Sequence, residues 1–218
     1  MTLLQDHLDE ITFNTRQLVQ ADRLAISERS VEELFATGIE EQILPVGAVA
    51  PSFDLPDATG RAVRSEDLLA LGPLVVKFFR GRWCPYCMTE LEAWRELYPR
   101  LRASETLLVA ISPQTAKQSD FMADQHRLPF PVLRDQECEL AEKFGLAYTV
   151  PPAMREYYQS ILVNIPFVNG EASWRLPIPA TYVIGKDGKV LFAEAHADFR
   201  VRPEPEEALA AALASLSR

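Results

Sequence analysis

The sequence predicts an α/β protein with a central mixed sheet flanked by helices and an N-terminal helical extension. Three observations carry that expectation. Apolar runs at residues 74–79, 106–111 and 130–133 alternate with helical patterns, as parallel strands joined by crossover helices do. Two further runs, 181–184 and 190–193, flank Gly185-Lys186-Asp187-Gly188-Lys189, whose Asp-Gly pair signals a hairpin and makes the sheet mixed. Residues 3–42 instead repeat Leu4, Leu8, Ile11, Leu18 and Leu24 at near-helical spacing. The expected division is a helical extension over residues 1–45 and a sheet domain over residues 46–218.

In chain order, the first helix is followed by a second that Ser30 caps. Glu33 stands at its capping-box position, Val31, Leu34 and Phe35 give its apolar side, and Gly38 ends it. The pair reads either as helices packed on the main domain or as an arm for a homodimer. Residues 44–56 read as a linker and then an edge strand, because their prolines argue against a central one. A short helix over 65–71 stops at Gly72-Pro73. Strand 74–79, helix 85–101 and strand 106–111 follow. Ser112-Pro113 supplies an N-cap and a favourable first residue for a helix to His126. Strand 130–133 and helix 137–144 come next. Residues 151–177, with Met154, Tyr157, Tyr158, Phe167 and Trp174, read as an irregular lid over the core or as a binding surface. A helix rich in Ala and Leu over 205–216 closes the chain.

Composition narrows the function. The 218 residues are 48% hydrophobic, enough for one sizeable core. A net charge of -9 without a basic tract argues against nucleic-acid binding. No apolar run approaches the roughly 20 residues that cross a bilayer. Met1-Thr2-Leu3-Leu4-Gln5-Asp6-His7 lacks a basic leader segment, so no secretory signal is expected. Three cysteines are too few for a stapled scaffold. The expected setting is the reducing cytoplasm, with any disulfide transient and catalytic. No cofactor is expected.

The chemistry concentrates at Cys84-Pro85-Tyr86-Cys87, where a strand run gives way to a helix. Thiols at a helix N-terminus meet its free N–H groups and positive dipole end, which favour the thiolate. Lys77, Arg80 and Arg82 add positive charge just upstream, and the second thiol can hydrogen-bond the first. Pro85 suits the first helical position. A zinc half-site is the rival reading, but a second ligand pair is missing from the sequence. An inert buried pair is the other, and flanking Arg and Trp residues argue against it. Cys138 sits among Asp135, Glu137 and Glu139, which disfavour its thiolate; a resolving role stays open. His196 follows a strand and reads as a surface or structural histidine more readily than a catalytic one.

With these residues the chain resembles the thioredoxin-fold superfamily, and within it the peroxiredoxin family of alkyl hydroperoxide reductases and thiol-specific antioxidants. Val46-Gly47-Ala48-Val49-Ala50-Pro51-Ser52-Phe53 resembles that family's opening motif. Ile111-Ser112, residues 121–130 and Leu133-Arg134-Asp135 resemble its central block, and Ala180-Thr181-Tyr182-Val183-Ile184 with Asp187-Gly188-Lys189 its final hairpin. In the family's active-site motif Cys87 falls on the peroxidatic position, and Glu90 is the glutamate three residues on. Cys84 replaces the motif's threonine, Arg80 its proline, and Pro179 the activating arginine before Thr181.

Other features resemble thioredoxins and glutaredoxins. Trp83-Cys84 before a CxxC looks like thioredoxin, and Cys-Pro-Tyr-Cys looks like glutaredoxin. Ile178-Pro179-Ala180-Thr181 resembles the loop with a cis-proline that faces the CxxC, while Phe78 stands where thioredoxin carries a buried acid. The resemblance implies a thioredoxin-like fold and a thiol-dependent antioxidant enzyme. It would reduce peroxide through a Cys84/Cys87 dithiol–disulfide cycle regenerated by a thioredoxin- or glutathione-type donor. Arg80, Arg82, Trp83, Pro179 and Thr181 would support the two cysteines. Two alternatives remain: a protein disulfide oxidoreductase with little peroxidase activity, and a redox-responsive interaction protein. The order of attack is open as well, with Cys84 favoured for disulfide exchange and Cys87 still in play for peroxide.

Overall fold

The computed structural model describes residues 3–216; Met1-Thr2 and Ser217-Arg218, at the ends of the two expected segments, lie outside the described residues. The chain runs α1 (Leu4–Leu18), α2 (Ala21–Ala36), a 3-10 turn (Ile39–Gln42), β1 (Asp54–Pro56), β2 (Ala62–Arg64), α3 (Ser65–Leu71) and β3 (Leu74–Phe78). It continues through α4 (Pro85–Ala103), β4 (Leu107–Ser112), α5 (Ala116–His126), β5 (Val132–Arg134), a 3-10 turn (Gln136–Cys138) and α6 (Glu139–Lys143). The rest is β6 (Ala147–Thr149), α7 (Pro152–Ser160), α8 (Ile165–Asn169), β7 (Arg175–Pro177), β8 (Ala180–Ile184), β9 (Val190–Ala195) and α9 (Pro205–Leu216).

The central sheet has the order β5-β4-β3-β8-β9. Strands β3, β4 and β5 are parallel to one another, while β8 and β9 each pair antiparallel with their neighbours. Every residue of β3 is buried because the strand is central and covered on both faces. Period-two alternation splits its side chains. Val75 joins the core made with α4, α9 and the start of α1, including Leu4, Leu8, Leu91, Trp94 and Leu209. Leu74, Val76 and Phe78 join the opposite core, where Phe78, Phe144 and Tyr182 pack ring against ring. Each fully buried aliphatic side chain contributes about 1.5–3 kcal/mol. Lys77 shares the parity of Val75, so its amine faces α4. That parity decides the chemistry described below.

The N-terminal pair packs on its own chain. α1 buries Leu4 and Leu8, and its first N–H groups, of Leu4 and Gln5, donate to the Glu204 carboxylate at 3.0 and 3.1 Å. α2 lies against α7, and α7 builds a third core of Val150, Met154, Tyr157, Tyr158 and Trp174 with Val19, Ile26 and Trp83 beside it.

Several local expectations need correction. The helix break falls at Val19-Gln20, and Ser30 lies inside α2 rather than capping a helix. Ser112 remains in the ladder opposite Arg134, so the cap of α5 moves to Thr115. The helix expected over 137–144 is interrupted: Glu137 and Cys138 have φ of 54° and 59°. α6 starts only where the Asp135 carboxylate accepts the N–H groups of Leu140 and Ala141, at 2.8 and 2.9 Å. Residues 151–177 are not irregular but hold α7, α8 and β7. Strand β2, paired with β1, was not expected. Among the described residues no peptide bond is cis, so Pro179 follows a trans bond.

Candidate active site

The site forms where β3 ends and α4 begins. Between them Gly81 has φ 145°, and a Cβ there would lie 2.7 Å from the Trp83 indole nitrogen, so only glycine fits the turn. The turn delivers Cys84 to the N-cap of α4, with Pro85 as the first helical residue. The Cys87 N–H donates to Cys84 Sγ at 3.4 Å. The Arg80 guanidinium donates to the same sulfur at 3.1 Å. Arg80 is itself clamped: it donates to the Tyr158 hydroxyl at 3.2 Å and lies 3.8 Å over the Phe199 ring. Trp83 also flanks Arg80, and its ring meets Tyr158 edge-on at 4.9 Å.

Cys84 and Cys87 are both fully buried, yet their environments differ. Burial alone would raise the Cys84 thiol. The hydrogen bond from the Cys87 thiol and the charges of Arg80 and Arg202 outweigh it and bring Cys84 down to about 5. Cys87 goes the other way: burial, its hydrogen bond to Cys84 and the neighbouring thiolate push it well above the ordinary value. The pair therefore holds one thiolate and one thiol at neutral pH, with the charge on Cys84. Arg80→Met removes the cation that touches this sulfur. The Cys84 titration midpoint, followed by ultraviolet thiolate absorbance, is expected to climb from about 5 toward the ordinary 9.0. An unchanged midpoint would refute the role given to Arg80.

Beneath Cys87 lies a buried charge cluster. The Glu90 carboxylate pairs with Lys77 Nζ at 2.6 Å and with Arg202 Nε at 2.8 Å. Arg202 also brings Nη2 to 3.9 Å from Cys87 Sγ. Lys77 Nζ donates to the Thr181 hydroxyl and to the Ala180 carbonyl, both at 3.2 Å. Burial and the Arg202 charge lower the Lys77 amine, although Glu90 opposes them.

The structure thus gathers Cys84, Cys87, Arg80 and Trp83 around one sulfur pair, and sets Thr181 one layer below through Lys77. It does not bring Arg82 to the sulfurs. The Arg82 N–H donates to Gln114 at 2.9 Å, and its side chain bonds Gln118 and covers Phe121. Pro179 lies at the junction of β7 and β8. Cys138 belongs to the core on the far face of the sheet, where burial and then Asp135 raise its thiol. His196 pairs with Glu194 at 3.1 Å and lines a separate groove with Phe35 and Val201.

Arg202 and Phe199 were not found from the sequence, and Tyr158 was read only as part of a lid or binding surface, not as a partner of Arg80. Position 179, where the resemblance puts an activating arginine, is proline, but Arg202 delivers a guanidinium to the neighbourhood of Cys87. The one local signal was Phe199-Arg200-Val201-Arg202, a basic pair ahead of the acidic Glu204, Glu206 and Glu207. Among the described residues no group of three or more His, Cys, Asp or Glu is placed to hold a metal ion. No described helix is long and apolar enough to cross a membrane.

Comparison with known proteins gives the family and the fold. A model of the AhpC/TSA family matches residues 46–193. Peroxiredoxin bcp1 of Schizosaccharomyces pombe is 30% identical over 105 residues, which span 48% of this chain and 54% of the yeast protein, about half its length. The thiol-disulfide oxidoreductase ResA of Bacillus thuringiensis is 25% identical over 156 residues, 70% of each chain. The crystal structure of peroxidoxin BcpB from Mycobacterium tuberculosis superposes with a TM-score of 0.61 at 25% identity, covering 78% of this chain and 97% of that one. The fold is thioredoxin-like.

Proposed function

The chain belongs to the AhpC/TSA family, and from that premise we propose that it reduces peroxides through a Cys84/Cys87 dithiol–disulfide cycle in which Cys84 attacks. One observation carries the choice of cysteine: Cys84 Sγ caps α4 and accepts from Arg80 at 3.1 Å, while its partner is held as the thiol. The thiolate is the reactive form, so the lower of two coupled thiols is the nucleophile.

The Cys84 thiolate attacks the terminal peroxide oxygen. The O–O bond breaks, the alkoxide leaves and takes a proton, and Cys84 becomes a sulfenic acid. Cys87 then attacks Cys84 Sγ, the hydroxyl leaves as water, and a Cys84–Cys87 disulfide forms. Arg202, beside Cys87, stabilises negative charge on that sulfur as it attacks and when it is later released. A thiol donor of thioredoxin or glutathione type returns two electrons by exchange. With three cysteines in the sequence, too few for a stapled scaffold, we assign the protein to a reducing, cytoplasmic setting.

A second reading, disulfide exchange with little peroxidase activity, is favoured by the helix-capping position of Cys84 and by the likeness to ResA across most of the chain. One experiment separates the two. Reduced protein receives one equivalent of an organic hydroperoxide, and sulfenic acid is trapped for mass spectrometry. Rapid sulfenic acid and then disulfide is expected. Slow oxidation beside fast reduction of a test disulfide would leave only the second reading.

A further inference from the structure

Cys84 is fully buried, and much of what covers its side of the sheet lies outside the segment that the family model matches. Helices α1 and α2, with α7, roof the start of α4. Tyr86, inside the CxxC, donates to or accepts from Thr12 of α1 at 3.1 Å. Between roof and motif is a cavity of about 330 Å³, lined by Val19, Ser27, Met154 and Tyr157 from the roof and by Arg80 and Tyr86 from the motif side. Arg80 touches Cys84 Sγ, so the cavity reaches to within one side chain of the nucleophile.

This volume suits a small organic molecule, and apolar walls with a few polar groups are how such molecules are held. Of the three arginines in the lining, Arg16 pairs with Glu28 at 3.6 Å and Arg200 with Asp198 at 2.8 Å, which leaves Arg80, beside the sulfur, as the cation with no carboxylate partner among the described residues. Arg80 Nε is buried without a hydrogen-bond partner, so the guanidinium that touches the sulfur is not fully satisfied. A folded donor protein must bring its own sulfur to bonding distance of Cys84, and the roof stands in its way. A small thiol fits the cavity of about 330 Å³, where Arg80 alone stands between it and Cys84 Sγ. A disulfide whose reduced form is stabilised is also easier to reduce, so a simple thiol is a sufficient donor.

We propose that this cavity binds a low-molecular-weight thiol with an apolar body and a carboxylate, and that this small thiol, rather than a folded redoxin, reduces the Cys84–Cys87 disulfide. The proposal rests on the dithiol–disulfide cycle set out above. One donor thiolate attacks Cys84 Sγ, forming a mixed disulfide and releasing Cys87, which takes up a proton. A second donor thiolate attacks the bound donor's sulfur, releasing Cys84 as thiolate and the donor as its symmetric disulfide. Two donor thiols are oxidised and one protein disulfide is reduced.

The test starts from protein oxidised with diamide, so that peroxide reactivity does not enter. Reduction is followed with para-mercaptobenzoate, with cysteamine as the cationic control, and with thioredoxin. After correction for thiolate fraction, para-mercaptobenzoate is expected to exceed cysteamine by about tenfold, and thioredoxin to show no advantage. Ser27→Trp fills the cavity and is expected to slow para-mercaptobenzoate by about tenfold, with the Cys84 titration unchanged as the check on folding. Arg16→Glu, at the exposed rim, is expected to erase most of the preference for the anion. Calorimetric binding of para-methylthiobenzoate, which has no free thiol, reads the cavity independently of the cycle. Thioredoxin reducing the wild type about tenfold faster than para-mercaptobenzoate, or equal rates in wild type and both variants, would overturn the proposal. Absence of calorimetric binding overturns the site itself. Binding without any disulfide formation overturns the cycle and, with it, the reductant assignment.

Discussion

Cys84→Ser is expected to lower peroxide and disulfide turnover by on the order of a thousandfold or more, the loss that follows removal of a nucleophile. Cys87→Ser is expected to behave differently. It retains one round of oxidation, because Cys84 and its arginine remain, but stalls as a sulfenic acid with no internal thiol to condense with it. Serine keeps a hydroxyl donor toward Cys84, so the low titration of Cys84 should largely persist. The pH dependence follows from the same asymmetry. Thiolate is present above the Cys84 value and absent below it. Single-turnover oxidation of Cys87→Ser should therefore hold steady through neutral pH and fall as pH drops through about 5. Stopped-flow oxidation with mass-spectrometric trapping reads both results. Full reactivity in Cys84→Ser with loss in Cys87→Ser would reverse the roles and restore the order that the family motif alone suggests.

That reversal was an open alternative in the sequence, and the reason is physical. The motif puts Cys87 on one register and Cys84 on another, and charge near the motif in sequence does not say which sulfur it touches. Arg80 and Arg82 look equivalent on paper. The turn at Gly81 sends Arg80 onto Cys84 and Arg82 outward to Gln118 and Phe121. The sheet was legible because β3, β4 and β8 are apolar runs with clear ends, and Asp187-Gly188 marks the hairpin. The roof was not. α1 and α2 separate without a glycine or proline at Val19-Gln20, and α7 and α8 are short helices in a segment rich in prolines and aromatics. Arg202 was hidden for another reason: it meets Glu90 and Cys87 from 112 and 115 residues away, a contact made only by the tertiary fold.

Glu90→Gln is expected to destabilise the reduced protein by about 3–5 kcal/mol, the range for removing one partner from a buried ion pair. Glu90 is the carboxylate in ion-pair contact with both Lys77 and Arg202, and all three side chains are buried. The amide leaves two buried cations without it. Arg202→Met should cost less, because it leaves Lys77 and Glu90 as a neutral pair. The order of the two variants is thus set by the charge left behind, not by how many hydrogen bonds each substitution removes. Lys77 offers partial relief by shedding its proton. Its amine is already lowered, and a group lowered in the folded state stabilises the fold more as pH rises toward its ordinary value, here 10.5. Loss of Glu90 lowers it further, so the Glu90→Gln penalty should shrink at alkaline pH. Redox state should act in the opposite sense. The Cys84 thiolate is the other buried anion near Arg80 and Arg202, and disulfide formation removes it. The same substitution should therefore cost more in the oxidised protein than in the reduced one. Urea midpoints of wild type, Glu90→Gln and Arg202→Met, each reduced and oxidised, at neutral and alkaline pH, measure all of these differences. Equal costs for the two variants, or a Glu90→Gln penalty independent of pH and redox state, would show that the buried charges do not govern this site.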